Sequence, residues 1–366
     1  MRVTVVIPTR GVGGGEGARS VEGVVGACVR GVLGQLGAGD EVVLAVDGAV
    51  GPAVGVEDGR LRVVTGARMG PSAARNRALA VAGGDVVLFL NDDVRAAEGL
   101  IEAHRAEHAA RAARGEIGAL ILGDAPWAIA ADDTVLDRLL RESSMVFFYD
   151  QMTDPDPTRD WGFRHAWTLN LSVGRAHCPS FDERLRYPML EDLEWAYRAS
   201  GGGGGVRRPL LFRPDARVVH HHRYTPGALL RREALLGHQA ALLYSVNPGC
   251  ARAVFDDRFS ATRAAIGRAE SDLAVVLPEA VRAYGALLGQ HGRSAGELSE
   301  AAVRVLFQGC GAWRRAARWM GYLGALDHET AEETQARAEA QIGAPATELA
   351  RSAGGAVGDI VGGAVG

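Results

Sequence analysis

The chain has 366 residues, with 40 basic and 44 acidic side chains, a formal net charge of −4 and 47% hydrophobic residues. That length is enough for two domains or one large one, and the slightly acidic balance argues against a nucleic-acid-binding surface, which would be basic. All the cationic side chains are arginine, since the sequence contains no lysine, so a phosphate-loop lysine, a Schiff base and a kinase-type strand lysine are excluded.

In chain order, residues 3–7 read as a strand closed by Pro8. The Gly-rich stretch 11–17 reads as a flexible loop, because it lacks Gly-Lys-Ser/Thr and offers no complete GxGxxG opening a helix. Residues from about 20 to 36 carry apolar positions at helical spacing. A second strand over 41–46 ends at Asp47-Gly48, a short third covers 61–64, and Pro71-Ser72 opens a helix through residue 80. Residues 85–90 form an apolar strand that stops abruptly at Asn91-Asp92-Asp93, and 96–114 are helical by propensity. Such alternation predicts an α/β fold with a mostly parallel sheet and helices on both faces.

Between about 123 and 174 the pattern loosens. Pro155 and Pro157 interrupt it, and Phe147, Phe148, Tyr149, Trp161, Phe163 and Trp167 gather there. Such rings either line a pocket on which a sugar stacks or simply fill the core. Residues 201–205 form a glycine loop, 206–212 and 216–219 are short strands, and 229–243, 271–288 and 297–326 have helical spacing. The expected division is an α/β domain over 1–224, a helical region over 225–345 and a flexible Gly/Ala-rich tail over 346–366.

Several residues could carry chemistry. Asn91 and Asp93 fall on one side of a strand continued as a tight turn, where both can face a cation or a ribose diol; Asp92 lies between them, and a solvated turn is the competing reading. Glu191-Asp192 opens a segment with Leu190, Leu193 and Tyr197 on one helical face. The helix dipole and an Arg198 partner account for Glu194, but less well for two adjacent acids. His220, His221 and His222 end an apolar run, so one should point inward and one outward; His220 is the first choice as a ligand, a structural role being the alternative. Arg75 either holds a diphosphate in forked geometry or adds surface charge. Asp47 either reads a nucleoside or caps the Gly48 turn.

Assembled, these segments resemble the inverting family 2 glycosyltransferases, which use the GT-A fold. Val5-Val6-Ile7-Pro8-Thr9 looks like the family's opening strand, and Val46-Asp47-Gly48 is similar to its Asp-Asp-Gly-Ser turn with Val46 replacing the first Asp. Gly70-Pro71-Ser72-Ala73-Ala74-Arg75-Asn76 looks like the segment before the metal strand. Phe89-Leu90-Asn91-Asp92-Asp93 resembles the DxD motif with Asn91 in the first acidic position. Phe181-Asp182-Glu183-Arg184-Leu185 followed by Glu191-Asp192 is similar to the acceptor-side motif, and Val219-His220 to the late histidine. The likeness runs from about Arg2 to Tyr224.

The resemblance implies a GT-A catalytic domain over 1–224 that displaces a nucleotide directly from the anomeric carbon of a nucleotide-diphosphate sugar, followed by a C-terminal helical module. Asp192 would be the general base, supported by Glu191. Asp93, Asn91 and His220 would hold Mn²⁺ or Mg²⁺ on the diphosphate. Pro8, Thr9 and Asp47 would read the nucleotide, with Arg75, Asn91 and Asp92 also on the donor. Arg10 stands where the family often has an aromatic, so the nucleobase is left open. The acceptor hydroxyl, of a glycan, a lipid-linked sugar or a small molecule, is equally open. Cys28, Cys178, Cys250 and Cys310 are far apart with no CxxC, and no apolar run reaches the length of a membrane span. A cytoplasmic protein is expected, with peripheral membrane contact and homo-oligomerisation both compatible. A sugar-nucleotide pyrophosphorylase shares the sheet architecture but needs a lysine-bearing loop. A non-catalytic nucleotide- or carbohydrate-binding module would have no reason to keep Glu191-Asp192.

Overall fold

The computed structural model describes residues 1–10, 21–51 and 54–352; the Gly-rich stretch 11–17 and the end of the tail, 353–366, lie outside the described residues. The chain divides into two compact units. One comprises residues 1–128 and 148–222, the other residues 129–147 and the chain from Arg223 onward.

The first unit is built on one sheet of eight strands: β1 (Val3–Arg10), β2 (Glu41–Asp47), β3 (Leu61–Val64), β4 (Val86–Leu90), β5 (Val94–Ala96), β6 (Leu120–Asp124), β7 (Asn170–Gly174) and β8 (Leu210–His220), in the order β3-β2-β1-β4-β7-β6-β8-β5. Strands β3, β2, β1 and β4 run parallel, with Val5 opposite both Val42 and Leu88. The near-continuous apolar runs of β1, β2 and β4 follow from burial on both faces. Direction reverses at β7, antiparallel to both β4 and β6, and β5 is antiparallel to β8. The result is a mixed α/β sheet in which the carboxyl ends of β1, β2 and β4 share one edge. Ligands of open α/β sheets bind at such an edge.

The helices of this unit are α1 (Val21–Leu33), α2 (Pro71–Val81), α3 (Leu100–Ala113) and, beyond the short α4 (Val135–Arg141) of the other unit, α5 (Glu191–Ala199). Trp195, fully buried, anchors α5 to the sheet: it stacks on Phe181 at 5.2 Å and meets Phe89 of β4 edge-on at 5.3 Å. Its indole N–H donates to the Pro179 carbonyl at 2.8 Å. Helix α3 is fixed from its inner face by two histidines. His104 contacts Ser172 Oγ at 2.8 Å and Asn170 Oδ1 at 3.0 Å, and His108 reaches the same serine at 2.8 Å. Burial lowers both imidazoles to about 4, so they are neutral hydrogen-bonding groups at physiological pH.

Two departures from the expected elements have clear causes. The strands expected over 206–212 and 216–219 are one strand, β8, whose pairing with β6 jumps from Gly123–Arg213 to Asp124–Arg217. Pro214 lies in the residues skipped, where a missing N–H does no harm. Strand β7 was hidden because its buried Asn170 and Ser172 are polar, and their bonds to α3, with those of the Asn170 amide to the Asp124 and Ala216 carbonyls, make that burial tolerable.

The second unit is helical: α4, α6 (Pro226–Val246), α7 (Pro248–Phe255), α8 (Arg263–Gln290), α9 (Glu300–Leu326) and α10 (Ala331–Ala338), with residues 344–352 helical as well. Helices α6 and α9 meet through glycines. A Cβ on Gly237 would lie 1.9 Å from the Arg318 carbonyl oxygen, and one on Gly321 would lie 1.8 Å from that of Ala234. Between them Glu233, wholly buried, accepts from Arg232 at 2.9 Å and from Arg318 at 2.6 Å, with Arg314 Nε at 3.3 Å. No helix among the described residues is long and apolar enough to cross a membrane.

Candidate active site

The sequence-predicted residues gather into two groups in the first unit. The first lies at the carboxyl ends of β1 and β4. Pro8 and Thr9 close β1, opposite Ala45 and Val46 of β2. Asn91, half-buried, donates its backbone N–H to the Leu169 carbonyl at 3.4 Å and accepts from the Cys28 thiol at 3.4 Å. Burial and the adjacent Asp93 raise the Asp92 carboxyl to about 6, and the nearby Thr9 hydroxyl and Arg10 oppose that rise.

Asp93 is treated differently. Strand β5 starts at the next residue, and Val94 pairs with His220 at the end of β8, while the His221 N–H donates to the Asp93 carbonyl at 2.9 Å. Successive side chains along an extended segment alternate in direction, so His220 and His222 both turn toward the Asp93 carboxylate and His221 is exposed. Asp93 Oδ1 lies 3.4 Å from His220 Nε2 and Oδ2 lies 3.1 Å from His222 Nδ1. Burial by itself would raise this carboxyl, but the two imidazoles hold it well below the usual carboxylate range. One ligand atom from each of the three residues falls within 4.8 Å of the others. Carboxylate with two imidazoles is a donor set suited to a divalent cation. The His220 ring is also backed by Trp127, 4.5 Å away and tilted by 32°, while its backbone bonds to Pro126 and Ala128 at 2.9 and 2.8 Å.

The second group lies between α2 and α5. Arg75 is buried, its guanidinium donating to Glu191 Oε1 and to Thr168 Oγ1, each at 2.8 Å, and standing 5.2 Å from the centre of the Phe181 ring. Helix α2 is stitched to the segment before α5. Ser72 Oγ donates to the Leu185 carbonyl at 2.8 Å, and Asn76 exchanges bonds of 3.0 and 2.8 Å with the Phe181 backbone. Leu190 takes a left-handed φ of 68° just before Glu191. That conformation costs a side-chain-bearing residue on the order of 1–2 kcal/mol, and the burial of the leucine helps hold it there.

Asp192, half-buried beside Glu191, is pushed up to about 7, first by burial and then by the Glu191 carboxylate, with Arg75 opposing. Glu194 is occupied by Arg198 in a two-pronged pair at 2.8 and 2.7 Å. The proton of Asp192 is thereby poised to move near neutrality.

Asp47 connects the groups. Its carboxylate accepts from the Met69 N–H at 2.7 Å and from the Gly70 N–H at 3.0 Å, fixing the turn into α2, and Arg77 is 3.8 Å away. Gly70 has φ 93°, and a Cβ there would sit 1.8 Å from the Arg186 carbonyl oxygen. Among the aromatics of the irregular segment, Trp167 is buried, Trp161 and Phe163 are half-buried and Phe148 is exposed.

His222 belongs to the run of three histidines in which His220 is the first choice, and the two-residue period places it on the side of His220. Thr168 and Trp127 had no such signal, since both lie in irregular chain.

Comparison with known proteins agrees with this architecture. The fold is GT-A: the mannosyltransferase PcManGT from Pyrobaculum calidifontis, solved in complex with GDP-Man and Mn²⁺, is 15% identical, with 90% of this chain and 88% of that one covered at a TM-score of 0.50. Residues 4–148 match the model of the family described as Glycosyl transferase family 2, in accord with the likeness read from the motifs. S. aureus TarS 1-349 is 13% identical over 90% of this chain and 92% of that one, with a TM-score of 0.41. GalNAc-T7, solved with UDP, GalNAc and Mn²⁺, is 16% identical over 68% of this chain and 51% of that one, also at 0.41. No curated protein sequence matches the chain.

Proposed function

We propose that this protein is an inverting glycosyltransferase that moves a sugar from a nucleotide-diphosphate sugar to an acceptor hydroxyl, with Asp192 as general base. The observation that carries this reading is the Arg75–Glu191–Asp192 arrangement. One guanidinium faces two adjacent carboxylates and is hydrogen-bonded to Glu191 at 2.8 Å, while burial and the neighbouring Glu191 carboxylate raise the proton affinity of Asp192 to about 7 against the opposing Arg75. A carboxylate of that basicity takes a proton from a hydroxyl as the new glycosidic bond forms, and it is still largely ionised above neutral pH. Glu191 and Arg75 are positioning residues that fix the base through α2 and α5.

Charge developing on the departing nucleotide diphosphate has to be met without lysine. Asp93 and His220, with Asn91 beside them, would hold a divalent cation, which when bound neutralises diphosphate oxygens. The PcManGT and GalNAc-T7 structures, both solved with Mn²⁺, support a cation here without choosing between Mn²⁺ and Mg²⁺. Thr9 at the end of β1 and Asp92 would read the nucleotide from the sheet edge. Asp47 acts there through the turn it holds.

A thermal-shift panel of UDP-, GDP- and dTDP-sugars, with and without Mn²⁺, identifies the donor. Asp192→Asn then tests the base: transfer should fall by about 10²–10⁴-fold, while donor binding measured by calorimetry stays within a few-fold of wild type. Full turnover in that variant removes the assignment. A protein that binds donor yet never transfers, whatever the acceptor, would be a nucleotide-sugar-binding module instead.

A further inference from the structure

The cation reading above rests on Asp93 and His220. The geometry adds a ligand to it: we propose that His222 is a third protein ligand, making an aspartate–bis-histidine site that selects Mn²⁺ and similar transition-metal ions over Mg²⁺. The argument starts from spacing. Two donors each about 2.1 Å from one ion lie about 3.0 Å apart at a right angle and about 3.4 Å apart at a tetrahedral angle. Asp93 Oδ2 lies 3.1 Å from His222 Nδ1 and its Oδ1 lies 3.4 Å from His220 Nε2, so each histidine has a carboxylate oxygen within that interval. One ligand atom from each of the three residues falls within 4.8 Å of the others.

The His220 and His222 rings are nearly parallel, 19° apart with centres 5.8 Å from each other, and Trp127 backs His220 on a neighbouring ring contact at 4.5 Å. His220 is buried, whereas the side chain of His222 is 41% exposed. One ligand is therefore fixed by the fold, and the other closes the site from the solvent side. The pairing of β5 with β8 brings both to Asp93, with Val94 opposite His220 and the His221 N–H on the Asp93 carbonyl.

The chemistry follows from the donor atoms. With Asn91 in the first position of the acidic motif, Asp93 is the one carboxylate of the set, and two imidazoles complete it. Mg²⁺ strongly prefers oxygen ligands and sheds water reluctantly, whereas imidazole nitrogen suits the first-row transition metals. Replacing an acidic oxygen by a second imidazole shifts preference in that direction. Each protein ligand added also makes the ion less dependent on diphosphate for its binding.

The test uses the full chain and Mn²⁺ alone. Free Mn²⁺ is followed by electron paramagnetic resonance, Mg²⁺ is added as competitor, and pulsed resonance counts imidazole nitrogens on the bound ion. Wild type should show two coupled imidazoles and resist a large excess of Mg²⁺. His222→Ala, at a partly exposed position, should show one imidazole, bind Mn²⁺ at least about tenfold more weakly and lose much of the preference over Mg²⁺. A single imidazole in wild type, or a His222→Ala variant with wild-type affinity and competition, overturns the proposal and leaves His222 as a hydrogen-bonding partner of Asp93. Asp93→Ala separates this from the parent reading. If it abolishes binding while His222→Ala changes nothing, the cation reading stands without the third ligand. If neither variant changes binding, the cation reading itself fails.

Discussion

Two buried carboxylate centres, one in each unit of the molecule, are compensated in opposite senses. Between α2 and α5 a single arginine, Arg75, faces Glu191 and Asp192. Between α6 and α9 three arginines, Arg232, Arg314 and Arg318, surround Glu233. In the first, burial and the neighbouring Glu191 carboxylate, which the single arginine does not offset, raise the proton affinity of Asp192 to about 7. In the second, burial pushes Glu233 upward but the surplus of guanidinium overrides it and lowers its affinity below the usual glutamate value. A carboxylate starved of partners can exchange a proton at neutral pH, and one saturated with them cannot. The same residue type thus serves chemistry in one unit and cohesion in the other.

The comparison can be broken most forcefully at Glu233. Glu233→Ala leaves three arginines around an apolar gap and should destabilise the protein by about 3–5 kcal/mol, read as a lower urea midpoint at an unchanged slope. A change within experimental error would mean that solvent, not Glu233, satisfies those arginines. A smaller effect is expected at Arg75. Removing the cation that opposes the rise in Asp192 affinity, as in Arg75→Gln, should move the acid limb of the pH–rate profile to higher pH. Below that limb, turnover falls about tenfold for each unit of displacement, and activity recovers at alkaline pH. A loss that is uniform across pH would instead mark Arg75 as purely architectural.

The smallest effect separates the two centres by the sign of their pH dependence. The native state holds the Asp192 proton more tightly than the unfolded chain, so this group favours folding at low pH and loses that contribution as pH rises through about 7. Glu233, with its affinity depressed, contributes above the ordinary glutamate range and loses that contribution as pH falls. Asp192→Asn, which cannot ionise, should therefore gain in Tm relative to wild type between pH 5 and pH 8. An unchanged difference across that range contradicts the raised affinity.

Much of the α/β frame was legible because its cues are local. Strands β1, β2 and β4 are near-continuous apolar runs, and each leads into a residue of the site edge: Thr9 and Arg10, Asp47, and Asn91 onward. Helices α6, α8 and α9 were legible from period alone, though their ends moved by several residues. The three-residue β5 was not legible, since Val94-Arg95-Ala96 has no period long enough to read. That omission matters, because the pairing of β5 with β8 carries His220 and His222 to Asp93. Arg75 was equally opaque: its residue type allowed a diphosphate contact or a surface charge, and only packing shows it buried against Glu191 and Thr168.

The sequence by itself determined which chemical groups the protein has to work with: no lysine, an Asn-Asp-Asp at a strand end, a Glu-Asp pair opening a helix and a run of three histidines. It also determined the alternation of strand and helix, because hydrophobic period is a property of neighbours along the chain. Tertiary structure decided the relations between residues about 120 positions apart. Asp93 meets His220 and His222, and Arg75 meets Glu191. Charge compensation and burial depend on what the fold brings to within about 4 Å, and so does the proton affinity of Asp192.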